Sequence, residues 1–300
     1  MLNIISKKYL FLSFSGILIL VSLVGILLFG FKLAIDFTGG TAWQIKLENK
    51  DVSASQLKDF FASQLKVENP LVLEEISSRS FIVRLPHLSE QQHQEYLSAL
   101  TEKFGKVEEL RFGSIGPVIG KQLREKSIIA TLLVLLGISL YIAFSFRQVS
   151  FPVRSWKYGV ITLVTLFHDV LIPSGVIAYL GHFKGVELDV NFVIALLVIM
   201  GFSVHDTIVV FDRIRENLLL KKGTKAFDEI VNDSVNQTLA RSINTSLTLI
   251  LVLVAMLLAG PASLKLFVLI ILIGTVVGTY SSIFVASPLL TIWQRFGKNK

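Results

Sequence analysis

The stretch VNFVIALLVIMGFSVHDTIVVF, Val190–Phe211, decides how this chain is read. About 20 predominantly apolar residues are what an α-helix needs to cross roughly 30 Å of hydrocarbon, and this stretch is that long. Inside it stands one carboxylate, Asp206, flanked by His205 and Thr207. An ionisable side chain at mid-bilayer costs at least ~2.5–3.5 kcal/mol on insertion scales, so it persists where it has a partner or a wet cavity.

Outward from that helix, five further apolar runs cover Leu10–Phe31, Ser127–Phe146, Tyr158–Leu180, Ile243–Ala259 and Leu266–Leu289. The first is longer than the ~7–15-residue core of a signal peptide and is read as a retained helix. Six crossings put both termini on one side. The clusters Lys7/Lys8, Arg147 with Arg154 and Lys157, Arg213 to Lys225, and Arg295 with Lys298 and Lys300 all fall on that side. By the positive-inside rule that side is cytoplasmic. The formal charge of +7 is therefore a topology signal, because residues 32–126 carry 13 basic against 13 acidic side chains. Nucleic acid is not an expected partner.

Those residues, 32–126, are the polar part of a chain that is 52% hydrophobic as a whole, and they are expected outside the cytoplasm. Their periodicities alternate. Thr41–Leu47 reads as a strand, Ser53–Leu65 as a Ser-capped helix, and Leu71–Ile76 and Ser80–Leu85 as strands around Ser77-Ser78. Ser89–Phe104 reads as a second Ser-capped helix and Val107–Ile115 as a last strand. The order βαββαβ is that of a ferredoxin-like α+β sandwich. The expected organisation is a first helix over 1–31, the α+β domain over 32–126, and five helices over 127–300. Within the last part, 212–240 is expected to be an amphipathic cytoplasmic segment along the membrane surface.

The polar residues of the apolar runs are the candidate site. His168-Asp169 lies in the third helix and His205-Asp206 in the fourth, while Arg241 opens the fifth, ahead of Asn244, Thr245 and Ser246. Burial raises a carboxylate's pKa and a nearby cation lowers it, so Asp206 opposite Arg241 suits a proton or cation carrier. Asp169 reads either as a structural pair or as a relay member, and Asp36 as a turn or cap residue. Neighbours on a helix diverge by about 100°, so a His-Asp dipeptide does not aim both side chains at one ion, and no metal or cofactor is expected. Gly274 and Gly278 make a small-xxx-small face for close helix contact, Pro173 suggests a kink and Pro288 a helix stop. The chain has no cysteine, hence no disulfide, thiolate site or cysteine nucleophile. It also lacks a phosphate loop, a nucleophile elbow and a His-Glu-x-x-His motif, and is read as no enzyme.

Four stretches in order resemble the SecF family of protein-export membrane proteins. They are Ile35-Asp-Phe-Thr-Gly-Gly40, Gly116-Pro117 ahead of Gly120, the run Gly201–Asn217, and Asn236–Ser246. The resemblance spans the whole chain and carries Asp36, Gly39, Gly40, Gly116, Pro117, Asp212, Arg213, Arg215 and Asn244 as motif residues. It implies a subunit that works with SecD beside the SecYEG translocon in the bacterial inner membrane. Such a subunit draws on a proton or sodium gradient to help unfolded preproteins across, with membrane lipid around it. Asp206 would match the family's membrane carboxylate and Arg241 its arginine, within the resistance–nodulation–division superfamily. The family usually has Asn where His205 stands. Two other readings are a half-transporter of that superfamily, using the same buried charges to export a lipid or small molecule, and a passive scaffold, in which those charges could be neutralised without loss of function.

Overall fold

The computed structural model describes residues 2–48, 51–75, 79–146, 153–221 and 224–298. They form two compact units, residues 33–128, and residues 1–32 together with 129–300. In chain order the elements begin with α1 (Lys8–Phe29), the single turn α2 (Ile35–Thr38), β1 (Gly40–Leu47), α3 (Ala54–Asp59), β2 (Leu71–Glu75) and β3 (Ser80–Leu85). There follow α4 (Glu90–Phe104), β4 (Val107–Ile115), α5 (Pro117–Ser145), α6 (Ser155–Lys184), α7 (Val190–Leu220) and α8 (Phe227–Ala259). The chain ends in α9 (Lys265–Ser281), a π turn (Ser282–Ala286) and α10 (Ser287–Lys298).

The smaller unit is the expected βαββαβ fold. Its four antiparallel strands lie in the order β2-β3-β1-β4, with Trp43 opposite Val83 on one side and Phe112 on the other. Ser53 and Ser89 start the two helices as read from sequence. Each accepts the amide of the Gln three residues on, and that Gln reaches back to the serine amide. The first helix is shorter than expected, because a π turn at Phe60–Gln64 follows Asp59. Trp43, Ile45, Leu57, Phe61, Val83 and Leu100 are fully buried between sheet and helices. Each such side chain contributes about 1.5–3 kcal/mol of apolar burial. The indole Nε1 of Trp43 donates to Glu109 Oε2 at 2.8 Å, so its polar atom is satisfied. The turn at Ser77-Ser78 lies outside the described residues.

Two motif glycines have a steric reason. Gly39 has φ +72°, and a Cβ there would stand 2.8 Å from the Cα of Pro117. A Cβ on Gly120 would meet the Gly39 nitrogen at 2.7 Å. The entry and exit of this unit therefore pass each other at backbone contact, which only glycine permits.

The larger unit holds the membrane helices. Six helices among the described residues are long and apolar enough to cross a bilayer, with mean hydropathies of 1.8 to 2.6. This is a multi-pass membrane protein. Several boundaries differ from the sequence reading. The second crossing begins at Pro117, not Ser127, since proline at a first helical position suits a chain leaving an extended strand. Pro288 does not stop the sixth crossing. It sits in the first turn of α10, where its missing N–H is tolerated, and the helix continues to Lys298.

The segment 212–240 is not a separate surface element either. Its first part continues α7 to Leu220 and its second starts α8 at Phe227, so the two helices extend as a hairpin. Ile214, Val231 and Val235 are fully buried, as is Ser234, which accepts from Asn217 Nδ2 at 2.8 Å. The amphipathic face is thus spent on its own partner helix. At the hairpin's end, hydrogen bonding to Asp233 holds the Lys225 ammonium above its usual range.

Helix contacts rely on small residues. A Cβ on Gly175 would lie 2.5 Å from Ser22 Cβ on α1, and one on Gly274 2.3 Å from Ile199 on α7. Gly278 faces Ser203 in the same way at 3.1 Å. The Gly274/Gly278 face is therefore consumed inside this chain by the α7–α9 contact.

Candidate functional site

The polar centre of the membrane unit is two carboxylates on neighbouring helices, Asp169 on α6 and Asp206 on α7, only 0% and 6% exposed. Asp169 Oδ1 lies 2.8 Å from Nδ1 of His168. Its Oδ2 accepts from Ser281 Oγ at 2.7 Å and from the hydroxyl of Ser203 on α7. Asp206 Oδ1 accepts from Ser242 Oγ on α8 at 2.7 Å, and its Oδ2 from the hydroxyl of Ser282. Hydroxyls that donate to a buried carboxylate satisfy oxygens that would otherwise lack their water.

Local helix geometry decides which side chains arrive. Ser281 and Ser282 are consecutive and so diverge by about 100°, which sends one to α6 and the other to α7. The same divergence separates His205 from Asp206, leaving the imidazole exposed and the carboxylate buried. His168 is different, because its ring turns back onto Asp169 and both are buried. Gly278 lets α9 come close enough to Ser203 for that hydroxyl and Ser281 to share one carboxylate oxygen.

Arg241 does not take the place expected of it. Among the described residues no ion pair joins it to Asp206; the helix turns the adjacent Ser242 inward, and that turns Arg241 out. It lines a cavity of about 600 Å³ with Asp212, Arg213, Glu216, Gln237 and Thr238. The motif charges Arg213 and Arg215 have local roles. Arg213 Nη1 pairs with Glu216 at 2.6 Å and its Nε donates to Gln237 on α8, while Arg215 lies 3.6 Å from Asp212. Asn244, Thr245 and Thr248 are exposed on the same flank of α8 as Arg241. Asp36 lies on α2 in the other unit, far along the chain from these groups.

Two buried polar atoms next to these carboxylates in sequence, His168 Nε2 and Thr207 Oγ1, have no hydrogen-bond partner among the described residues. Thr207 was singled out from sequence; Ser203, Ser242, Ser281 and Ser282 were not assigned a role. The available signal was weak, two adjacent serines in an aliphatic run.

The chain is similar to known proteins over nearly its whole length. The family described as "Protein export membrane protein SecD/SecF, C-terminal" matches residues 95–296. Protein translocase subunit SecF of Thermobaculum terrenum is 44% identical over 98% of this chain and 94% of its own length. Its counterpart in Anaerolinea thermophila is 36% identical with the same coverage. Among solved structures, SecDF from Thermus thermophilus, described as a translocon-associated membrane protein, superposes with TM-score 0.82 at 34% identity over 98% of this chain. SecDF in a super-membrane-facing form gives 0.70. This chain spans 39% of those SecDF chains.

Proposed function

The chain belongs to the SecF family of protein translocase subunits, and from that membership we propose that it uses an ion gradient, passed through Asp206 and Asp169, to assist preprotein export. The observation that carries the coupling is the pair of buried carboxylates, each held by hydroxyls from two other helices. Neutral hydroxyl donors hold a carboxylate without fixing its charge, as a permanent cation would. Protonating Asp206 on one oxygen turns the hydroxyl that donates to that oxygen, which gives the packed helices two arrangements that an ion can bias. One charge moved through 100 mV is worth ~2.3 kcal/mol, enough to shift a modest conformational equilibrium. The cavity at Arg241 and Asp212, lined also by Ile208 and Val209 within one helical turn of Asp206, serves as the cytoplasmic approach to it.

A SecD-like subunit is the partner. Only 6% of the most apolar stretch of α5 is buried, and the polar flank of α8 with His205 on α7 is uncovered. Polar groups in hydrocarbon need cover, so this flank, and not the internal Gly274/Gly278 face, receives the second half. The assembly works beside SecYEG on unfolded preprotein in the bacterial inner membrane, with both termini cytoplasmic and residues 32–126 outside. It acts as a transport subunit and carries out no covalent chemistry. Export of a lipid or small molecule is not favoured, since relatives matching nearly the full chain are translocase subunits. The test is preprotein translocation into sealed vesicles with an imposed gradient. Asp206→Asn should assemble normally and lose gradient stimulation, whereas full stimulation would make Asp206 structural.

A further inference from the structure

We infer that Ser281 and Ser282 are a positioning pair that couples Asp169 to Asp206, so that the two carboxylates load as one unit. This rests on the reading of both as ion carriers. The two serines are adjacent on one helix, yet each donates to a different carboxylate on a different neighbour. A hydroxyl has one proton to donate. For each serine the alternative acceptor is its own helix: the carbonyl of Gly278 lies 3.0 Å from Ser281 Oγ, and that of Thr279 3.0 Å from Ser282 Oγ. An ionised carboxylate draws the hydroxyl proton to itself. A protonated one sends its own proton to the serine oxygen, and the serine then donates to the carbonyl.

The pair also stands where the hydrogen-bond register changes, because the π turn begins at Ser282 and Ser287 Oγ donates to the Ser282 carbonyl at 3.3 Å. A π turn inside a transmembrane helix is uncommon, and such turns frequently occur at functional sites. Ser281 and Ser282 share one peptide plane, so a rotation that loosens one carboxylate's bond moves the other's. Among the described residues, three further titratable groups stand around the pair. His168 bonds Asp169, Tyr280 stacks 6.5 Å from the His168 ring, and Arg241 on α8 faces outward.

The test is an infrared pH titration of the full chain co-reconstituted with its partner half in lipid vesicles. The carboxyl bands are assigned by their loss in Asp169→Asn and Asp206→Asn. Losing one hydrogen bond to a charged group should move the midpoint of the carboxylate it touches by about one pH unit. Coupling predicts that Ser281→Ala also moves the Asp206 midpoint, and Ser282→Ala the Asp169 midpoint, by about half a unit. Threonine at either position should restore both. Should an alanine variant fail to assemble, Asp169→Asn gives the same reading: it moves the Asp206 midpoint in the native background, and moves it much less when combined with Ser282→Cys, whose thiol is a weak donor of similar size. Serine variants that move only the carboxylate they touch would overturn the coupling and leave the carrier reading intact. Full gradient stimulation by Asp206→Asn would instead overturn the carrier reading, whatever the serines do.

Discussion

Two His-Asp dipeptides stand on adjacent membrane helices and meet opposite fates. At His168-Asp169 both side chains are buried and bonded to each other, and at His205-Asp206 the histidine is exposed while the aspartate turns inward to serines. Both helices are strongly apolar, with mean hydropathies of 1.9 and 2.2; the difference is in what surrounds the helix. In α6, 67% of the most apolar stretch is buried, against 44% in α7, which keeps an open side. A polar dipeptide in a membrane helix therefore announces only that partners exist. Which residue finds them depends on the helices packed around it.

The sharpest way to break this contrast is Asp169→Leu. It removes the acceptor of Ser203, Ser281 and His168 together, and should lower stability by about 3–5 kcal/mol, seen as early loss of monodisperse protein on heating. Gly274→Leu comes next, at about 1–3 kcal/mol, because its side chain must displace Ile199. Partner copurification from the surviving fraction should persist, since that face is internal; its loss with stability unchanged would return the face to the interface. His168→Ala should cost about 1–3 kcal/mol by stranding Asp169 Oδ1, whereas His205→Ala should stay within about 0.5 kcal/mol. Equal effects from the two histidines would erase the distinction between the dipeptides. The smallest change is expected from Arg241→Met, again within about 0.5 kcal/mol, because no buried carboxylate loses a counter-charge. Destabilisation of several kcal/mol would mean that Arg241 pairs with Asp206 after all.

What was legible in the sequence follows from what is local. An apolar run of about 20 residues has one use, so all six crossings could be found, and Ser53 and Ser89 announced their helices by their own capping chemistry. The alternation of strands and helices gave the small sheet its order. The misreadings share another cause. Segment 212–240 is amphipathic, and amphipathicity does not say whether the apolar face meets lipid or another helix. Gly274 and Gly278 are not among the misreadings, since the close helix contact expected of them is made with Ile199 and Ser203 on α7. Arg241 and Ser242 are neighbours, and only the orientation of α8 decides which of them meets Asp206. Ser281 and Ser282 look unremarkable in one dimension, because their partners lie about 112 and 76 residues away.

The central claim is that the hydroxyl-held carboxylate on α7 carries the ion that drives export. Its most direct test is gradient-stimulated preprotein translocation into sealed vesicles containing the chain and its partner half, native against Asp206→Asn at matched levels. The account predicts that the variant assembles, supports the basal reaction and gives no response to the gradient. A response equal to that of the native protein would contradict it and leave Asp206 as a structural link between helices.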